Sequence, residues 1–270
     1  MPRPLKILKG IVEENPSVTR SKINELLGET VAIAEEALKQ LSTCLQFLLN
    51  KDRASAADQG IVDLGVRFWN DIRAANVLIN EGFILPAAMM QRDAIETRVI
   101  AEYLHNYPED AKDWQKAETR KERHRFGINE LKDRVEDGKG WKDVWDFLSS
   151  YIHPNRMATP SYARSRPFFG YNLYLGSFYD PEPVAILFLT QLGICINFLD
   201  SFMNWYKDDL PFPSELPRKI KELEETYHSQ TNKLKERADS EHQKIDDEIR
   251  TTRLSKEEII KLLKFLDTLP

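Results

Sequence analysis

The sequence predicts an all-α protein, a bundle of five to six core helices with one loop or hairpin insertion. Apolar residues recur at steps of three and four along most of the 270 residues, the period of helices that bury one face. Gly or Pro ends several of these stretches. One segment, 155–183, instead combines Gly, Pro and aromatic residues in the manner of a loop or short hairpin.

The predicted helices follow one another with short breaks. They span residues 19–49, 56–80, 84–105, 110–135, 141–152 and 184–206. Gly82 ends the second helix in a left-handed turn, which glycine adopts without strain. Pro108 and Pro154 end the third and the fifth, because proline disfavours helix in the residue before it. The fourth is so heavily charged that we expect it at the periphery of the bundle.

The chain divides at a proline-containing linker into a predicted helical bundle domain, 1–210, and a charged helical tail, 211–270. Near the end of the tail, Ser255 and Glu258 match a helix capping box. The helix that follows, 256–266, has a strong apolar face that must dock on another surface. That surface is either the chain's own bundle or a second copy of the chain, which would form a homodimer through the C-terminal helix.

Composition and charge exclude several classes of protein. Lys and Arg number 38 against 43 Asp and Glu, and the resulting net charge of −5 argues against a basic protein that wraps nucleic acid. Two cysteines, Cys44 and Cys195, are too few for a disulfide framework or a cysteine zinc site. Glu102 and His105 have the Glu-x-x-His spacing of di-iron bundles, but no two histidines stand at helical spacing. We therefore predict no metal and no cofactor.

Two features bear on membranes and on the cell compartment. The N-terminus lacks the continuous apolar stretch of a secretory signal. The most apolar segment, 184–199, is interrupted by Gln191 and Asn197 and is shorter than the about 20 residues that cross a bilayer. We expect it as a central helix buried on all sides. The sequence thus predicts a cytoplasmic protein with no membrane partner.

The third predicted helix carries two charges, Arg92 and Glu96, in the middle of an apolar sector of about 160°. That sector is formed by Ile84, Leu85, Ala88, Met89, Ile95, Val99, Ile100 and Tyr103. Burying either charge alone costs several kcal/mol, so we expect the two to pair with each other or with a group inside the bundle. Their role is either structural, as an ion pair that fixes helix register, or functional, in a polar pocket between helices.

His153 stands in the last turn of the fifth predicted helix, on a flank shared with Asp146 and Ser149. A histidine there is favoured by the helix dipole when it is protonated, which requires no function. Alternatively its ring faces a cleft together with Asn155, where it would serve as a general base or a phosphate ligand.

Three arginines beyond this helix alternate with aromatic residues. The arginines are Arg156, Arg164 and Arg166, and the aromatic residues are Tyr162, Phe168, Phe169, Tyr171 and Tyr174. Such a composition is typical of a groove for single-stranded nucleic acid, in which bases stack and arginines pair with phosphates. It is equally typical of a loop that packs over a hydrophobic bundle. In the first interpretation these arginines and Asn155 contact the substrate.

Segments 78–96 and 149–155 together resemble a family of uncharacterised, mostly bacterial helical proteins. In that family an Arg-x-x-x-Glu helix is followed by a His-Pro helix end, here Arg92 to Glu96 and His153-Pro154. The family is similar to the HEPN (higher eukaryotes and prokaryotes nucleotide-binding) superfamily. The resemblance covers about residues 62–206 and implies an HEPN-like bundle.

HEPN ribonucleases of toxin and defence systems carry Arg-x(4–6)-His on a late core helix, paired across a dimer. For His153 the arginine would fall at 146–148, where Asp, Phe and Leu stand. Two other pairs match the spacing, Arg98 with His105 and Arg237 with His242. Matches of this kind are expected by chance in a chain of this composition.

The resemblance implies a protein that handles a nucleotide or RNA, in one form a divergent, metal-independent ribonuclease of a defence or toxin system. In that role Arg92 would bind phosphate, Glu96 would orient Arg92, and His153 would be the general acid or base. The alternative is a non-enzymatic helical module that binds a partner or a second copy of itself through its tail.

Overall fold

Most of the described chain is α-helical, which confirms the all-α prediction. The computed structural model describes residues 11–12, 16–27, 30–51, 55–152, 163–166, 170–174 and 181–251. The longer helices are α1 (Pro16–Leu27), α2 (Thr30–Leu49), α3 (Ala56–Asn80), α4 (Ile84–Asn106), α8 (Gly138–Ile152), α9 (Pro181–Tyr206) and α10 (Leu216–Thr251). A 3₁₀ turn (Pro108–Asp110) and three short helices, α5 (Ala111–Gln115), α6 (Arg120–His124) and α7 (Ile128–Leu131), lie between α4 and α8.

Local sequence signals set the ends of α3 and α4. The Ser55 hydroxyl accepts the N–H of Asp58 at 3.0 Å, and the Asp58 carboxylate accepts the N–H of Ser55 at 2.8 Å, so a capping box begins α3. Gly82 has φ 76°, in the left-handed region, which confirms the predicted stop between the two helices. The last residue of α4, Asn106, is followed by the Tyr107-Pro108 stop that the sequence predicts.

Two predicted helices are wrong in their extent. The stretch predicted as one helix over 19–49 forms α1 and α2, with Gly28 between them in the sequence. The predicted helix over 110–135 is divided into α5, α6 and α7. Thr119 and Glu122 form a capping box that begins a new helix there, and Gly127 is the N-cap of the next one.

The core is built around α4 and α9. α4 packs against α3, α8 and α9. α9 buries Leu187, Phe198 and Phe202 completely. Residues 183–206 are long and apolar enough to cross a membrane, and 67% of their most apolar stretch is buried within the protein. A core helix that is covered on all sides has this same composition.

A small sheet lies in the segment predicted as a loop or hairpin. Strands β2 (Ala163–Arg166) and β3 (Gly170–Tyr174) pair antiparallel, and β1 (Ile11–Val12) pairs parallel with β3. In this register Arg164 is opposite Asn172 and Arg166 is opposite Gly170.

The first part of the predicted tail packs on the bundle. α10 runs along α9 and α2 and buries Leu216, Ile220 and Leu223. Tyr227 approaches α9 so closely that a Cβ atom at Gly193 would come within 3.1 Å of its hydroxyl. The predicted capping box and the apolar helix 256–266 lie outside the described residues.

Candidate functional site

The predicted site residues are described to different extents. Arg92 and Glu96 lie on α4 and are fully described. Arg164 and Arg166 belong to β2. His153, Asn155 and Arg156 directly follow α8 in the sequence and lie outside the described residues.

Arg92 lies against α8. Its guanidinium carbon is 4.2 Å from the centroid of the Trp145 ring, a cation–π contact. The Nζ atom of Lys142 is 4.9 Å from the same centroid, and this lysine also pairs with Asp146. The Nε atom of Arg92 is buried and has no hydrogen-bond partner among the described residues. Arg92 therefore retains an N–H donor for another group.

Glu96 is half-buried one turn further along α4. Burial raises the pKa of its carboxyl group, while the nearby charge of Arg92 acts in the opposite direction. The carboxylate accepts the backbone N–H of Ile128 at the start of α7. Although both residues are described, Arg92 and Glu96 form no direct ion pair, and each has a partner on a different neighbouring element.

Further charges connect this region with α3. Arg67 lies 3.8 Å from Asp71, measured from Nε to Oδ2, and 3.8 Å from Asp93, measured from Nη2 to Oδ2. Burial raises the pKa of Asp71 to about 6, with Arg67 opposing and Asp93 reinforcing the shift. We call Arg67, Asp71, Arg92, Asp93 and Glu96 the Arg92 cluster. Ionisable groups with shifted pKa values that lie close together are typical of functional sites.

Asp71→Asn should stabilise the protein by about 1 kcal/mol at about pH 8 and leave its stability unchanged at about pH 4. The folded-state pKa of Asp71, about 6, is above its ordinary value of 3.8. The stability linked to its proton is therefore fully present below the ordinary value and is lost as the pH rises through about 6. Urea unfolding at both pH values measures the difference.

Asp63, which is exposed on the same helix, is the matched control. Asp63→Asn should change the free energy of unfolding by less than about 0.5 kcal/mol at either pH. Equal effects of the two substitutions at about pH 8 would contradict a destabilising charge on Asp71.

The ion pair buried in α4 is formed by Arg98 and Glu102, which are 3% and 4% exposed. Arg98 donates from Nη1 to Glu102 Oε2 at 2.7 Å, from Nε to Asn197 Oδ1 at 2.8 Å, and from Nη2 to Ser201 Oγ at 3.3 Å. Asn197 and Ser201 are on α9, so the pair joins the two central helices. Burial lowers the pKa of Arg98, and the charge of Glu102 opposes this effect.

The same pair fixes the start of α8. The second oxygen of Glu102 accepts the backbone N–H of Glu136 at 2.6 Å, in the turn before α8. That turn contains Asp137 with φ 50°, and a Cβ atom at Gly138 would collide with the carbonyl oxygen of Lys132. The backbone thus needs glycine at 138, and Glu102 holds the turn against α4.

Two arginine–tryptophan stacks join α4 to α8. Arg98 lies over Trp141, with its guanidinium carbon 4.3 Å from the ring centroid, as Arg92 lies over Trp145 one turn further along α8. The indole N–H groups of Trp141 and Trp145 are buried and, among the described residues, have no acceptor. A buried donor without a partner costs about 1–3 kcal/mol. Three such donors, with Arg92 Nε, therefore suit a ligand that is rich in acceptors.

Arg98 and His105, which match the ribonuclease spacing, have different surroundings. The hydrogen bonds of Arg98 go to Glu102 and α9. His105 stacks on Trp205 with the ring centroids 5.1 Å apart, and burial lowers its pKa. Within the described part of the chain, no group of three or more His, Cys, Asp or Glu residues is placed to hold a metal ion.

Comparison of the chain with protein-family models, curated proteins and solved structures gives no match. The resemblance to HEPN proteins therefore stays a prediction from the two sequence motifs.

Sequence reasoning did not assign a role to Asp71, Arg98, Glu102 or Trp145. One signal was present: Arg98 and Glu102 repeat, six residues later, the Arg-x-x-x-Glu spacing of Arg92 and Glu96.

Proposed function

We propose that this chain is an HEPN-like protein that handles RNA or a nucleotide, and that Arg92 binds a phosphate group of the ligand. Asn155, Arg156, Arg164 and Arg166 contact the rest of the ligand. In the form of a ribonuclease, His153 acts as general acid or base and no divalent metal is required.

The stack of Arg92 on Trp145 is the observation that carries this proposal. It connects the Arg-x-x-x-Glu helix to α8, and His153 follows the last residue of α8 directly in the sequence. Two motifs that lie far apart along the chain therefore belong to packed elements. Such a connection is what a shared site requires.

The chemistry of this contact suits phosphate. The buried N–H groups of Arg92 and Trp145 have no acceptor among the described residues, and phosphate oxygens are acceptors for which the arginine fork is well shaped. The Trp145 ring holds the guanidinium in place, so less side-chain entropy is lost when a ligand binds.

Binding of a short single-stranded RNA, followed by fluorescence anisotropy, tests the proposal. Arg92→Ala should weaken binding by about 10-fold or more, because it removes a charged hydrogen-bond donor. Arg218→Ala, at an exposed arginine of α10, is the matched control and should retain the affinity of the unaltered protein. Salt concentration is held constant, since phosphate contacts depend strongly on it.

The same samples, kept in a chelator, report cleavage. Loss of metal-independent cleavage in His153→Ala, with binding retained, would support the ribonuclease form. Equal affinities for Arg92→Ala and Arg218→Ala would contradict the role of Arg92.

A specific observation favours the second candidate, a non-enzymatic interaction module. α10 has 36 residues, which at about 1.5 Å per residue is far longer than the part that buries Leu216, Ile220 and Leu223. Light scattering decides between the two: a dimer that becomes a monomer when residues 252–270 are removed, in a protein that binds no RNA, favours the module.

A further inference from the structure

We infer that the Arg92 site binds a phosphodiester together with a proton, and that Glu96 is the group that takes up this proton. The inference rests on the proposed function and adds to it how the site responds to pH.

Glu96 lies near Arg92 without neutralising it directly. The two residues are one helical turn apart, but Glu96 accepts the N–H of Ile128 while Arg92 stacks on Trp145. The approach of α7 is close, since a Cβ atom at Gly127 would come within 3.6 Å of Glu96 Oε1. An anion can therefore reach the free N–H of Arg92 while the Glu96 carboxylate stays beside it.

The charges that face Glu96 come from three directions. On α4 they are those of Arg92 and Asp93, and on α3 that of Arg67. From the α6–α7 turn comes the N–H of Ile128, whereas the charged residues of that turn, His124 and Glu130, pair with each other at 3.7 Å.

On α8, Lys142 pairs with Asp146 and contributes no unpaired charge. With every group ionised, the Arg92 cluster holds two positive and three negative charges. An incoming phosphodiester adds a further negative charge, which repels the carboxylates.

Glu96 is the carboxyl group best placed to relieve this repulsion. Asp93 is 41% exposed and Asp71 lies beside Arg67 on α3, whereas Glu96 is half-buried and shares its helix turn with Arg92. Burial already raises the pKa of Glu96, and a bound anion raises it further. Affinity should therefore be highest when Glu96 is protonated and should fall as the pH rises through its pKa.

Calorimetric titration with an oligouridylate tests this inference. The phosphodiesters of this probe keep a constant charge, whereas a phosphomonoester itself titrates near about pH 6. All proteins carry His153→Ala, because histidine titrates in the same range and because this change prevents cleavage. Binding is measured at constant ionic strength from about pH 5 to about pH 8, in buffers with different ionisation enthalpies, so that proton uptake is counted.

With Glu96 present, affinity should fall about tenfold over this range and protons should be taken up on binding. Glu96→Gln should bind equally well at both ends of the range, without this proton uptake. Glu224→Gln is the matched control, because it removes another partly buried carboxyl group whose pKa is raised, on α10, and should keep the original pH profile.

The possible failures are distinguishable. Absence of binding at every pH contradicts the proposed function. Binding that is independent of pH with Glu96 present overturns this inference alone. Weaker binding by Glu96→Gln at every pH also overturns it, since Glu96 would then orient Arg92.

Discussion

Replacing Glu102 by alanine should destabilise the protein by about 3–5 kcal/mol, and replacing Arg98 should have a similar effect. Each substitution leaves the other charge buried without its partner. Glu102→Ala also removes the acceptor of the Glu136 N–H, and Arg98→Ala removes the donor to Asn197 and Ser201. Urea unfolding followed by circular dichroism measures both free energies.

The double variant Arg98→Met with Glu102→Leu should cost less than the sum of the two single substitutions, because no uncompensated charge remains. Arg218 and Glu222 provide the matched control. They have the same spacing and order on α10, but their side chains are 67% and 54% exposed. Breaking that pair should cost at most about 0.5 kcal/mol. Additive effects at Arg98 and Glu102, or losses as small as those at the control pair, would contradict a coupled buried pair.

Helix positions were largely predictable because their signals are local. Ser55 with Asp58, Gly82 and Pro108 act on residues within one turn of themselves, and α3 and α4 have the predicted ends to within one residue. The charged stretch over 110–135 was not predictable from its overall character. There the Thr119–Glu122 capping box and Gly127 act at single positions within it.

The buried pair was missed because the prediction gave α4 only one apolar face. α4 is covered by α3, α8 and α9, so nearly its whole circumference is buried. Met89, inside the predicted apolar sector, is 45% exposed, whereas Arg98 and Glu102, outside it, are buried. Their burial is tolerated because Asn197, Ser201 and the Glu136 N–H satisfy them. None of these partners follows from the periodicity of α4 itself.

The Arg92 cluster was half predictable. The sequence singled out Arg92 and Glu96 as charges within an apolar sector, and both are half-buried. Their partners are Trp145 on α8 and Ile128 on α7, and Arg67 on α3 adds its charge to that of Arg92. Which neighbouring element meets a given turn of α4 depends on how the helices pack, which no single segment of sequence determines.

Ending the chain at Asp209 should destabilise the bundle by about 5 kcal/mol, because Leu216, Ile220 and Leu223 are each buried and each contributes about 1.5–3 kcal/mol. For a chain of this size the melting temperature should fall by about 10 °C or more. Removing α10 also uncovers the surface of α9 around Gly193, which Tyr227 now covers, so we expect aggregation on heating.

A chain that ends at Thr251 is the matched control, because it retains α10 and removes only residues outside the described structure. Thermal melting and size-exclusion chromatography with light scattering compare both chains with the full-length protein. The control should melt like the full-length chain if α10 supplies the stabilising contacts. An unchanged melting temperature for the shorter chain would instead support the boundary that the sequence predicts near residue 210, with everything beyond it acting as an independent tail. The contacts between α10 and α1 favour the first outcome, since Arg237 donates to the backbone carbonyl of Glu25 well beyond the first turns of the helix.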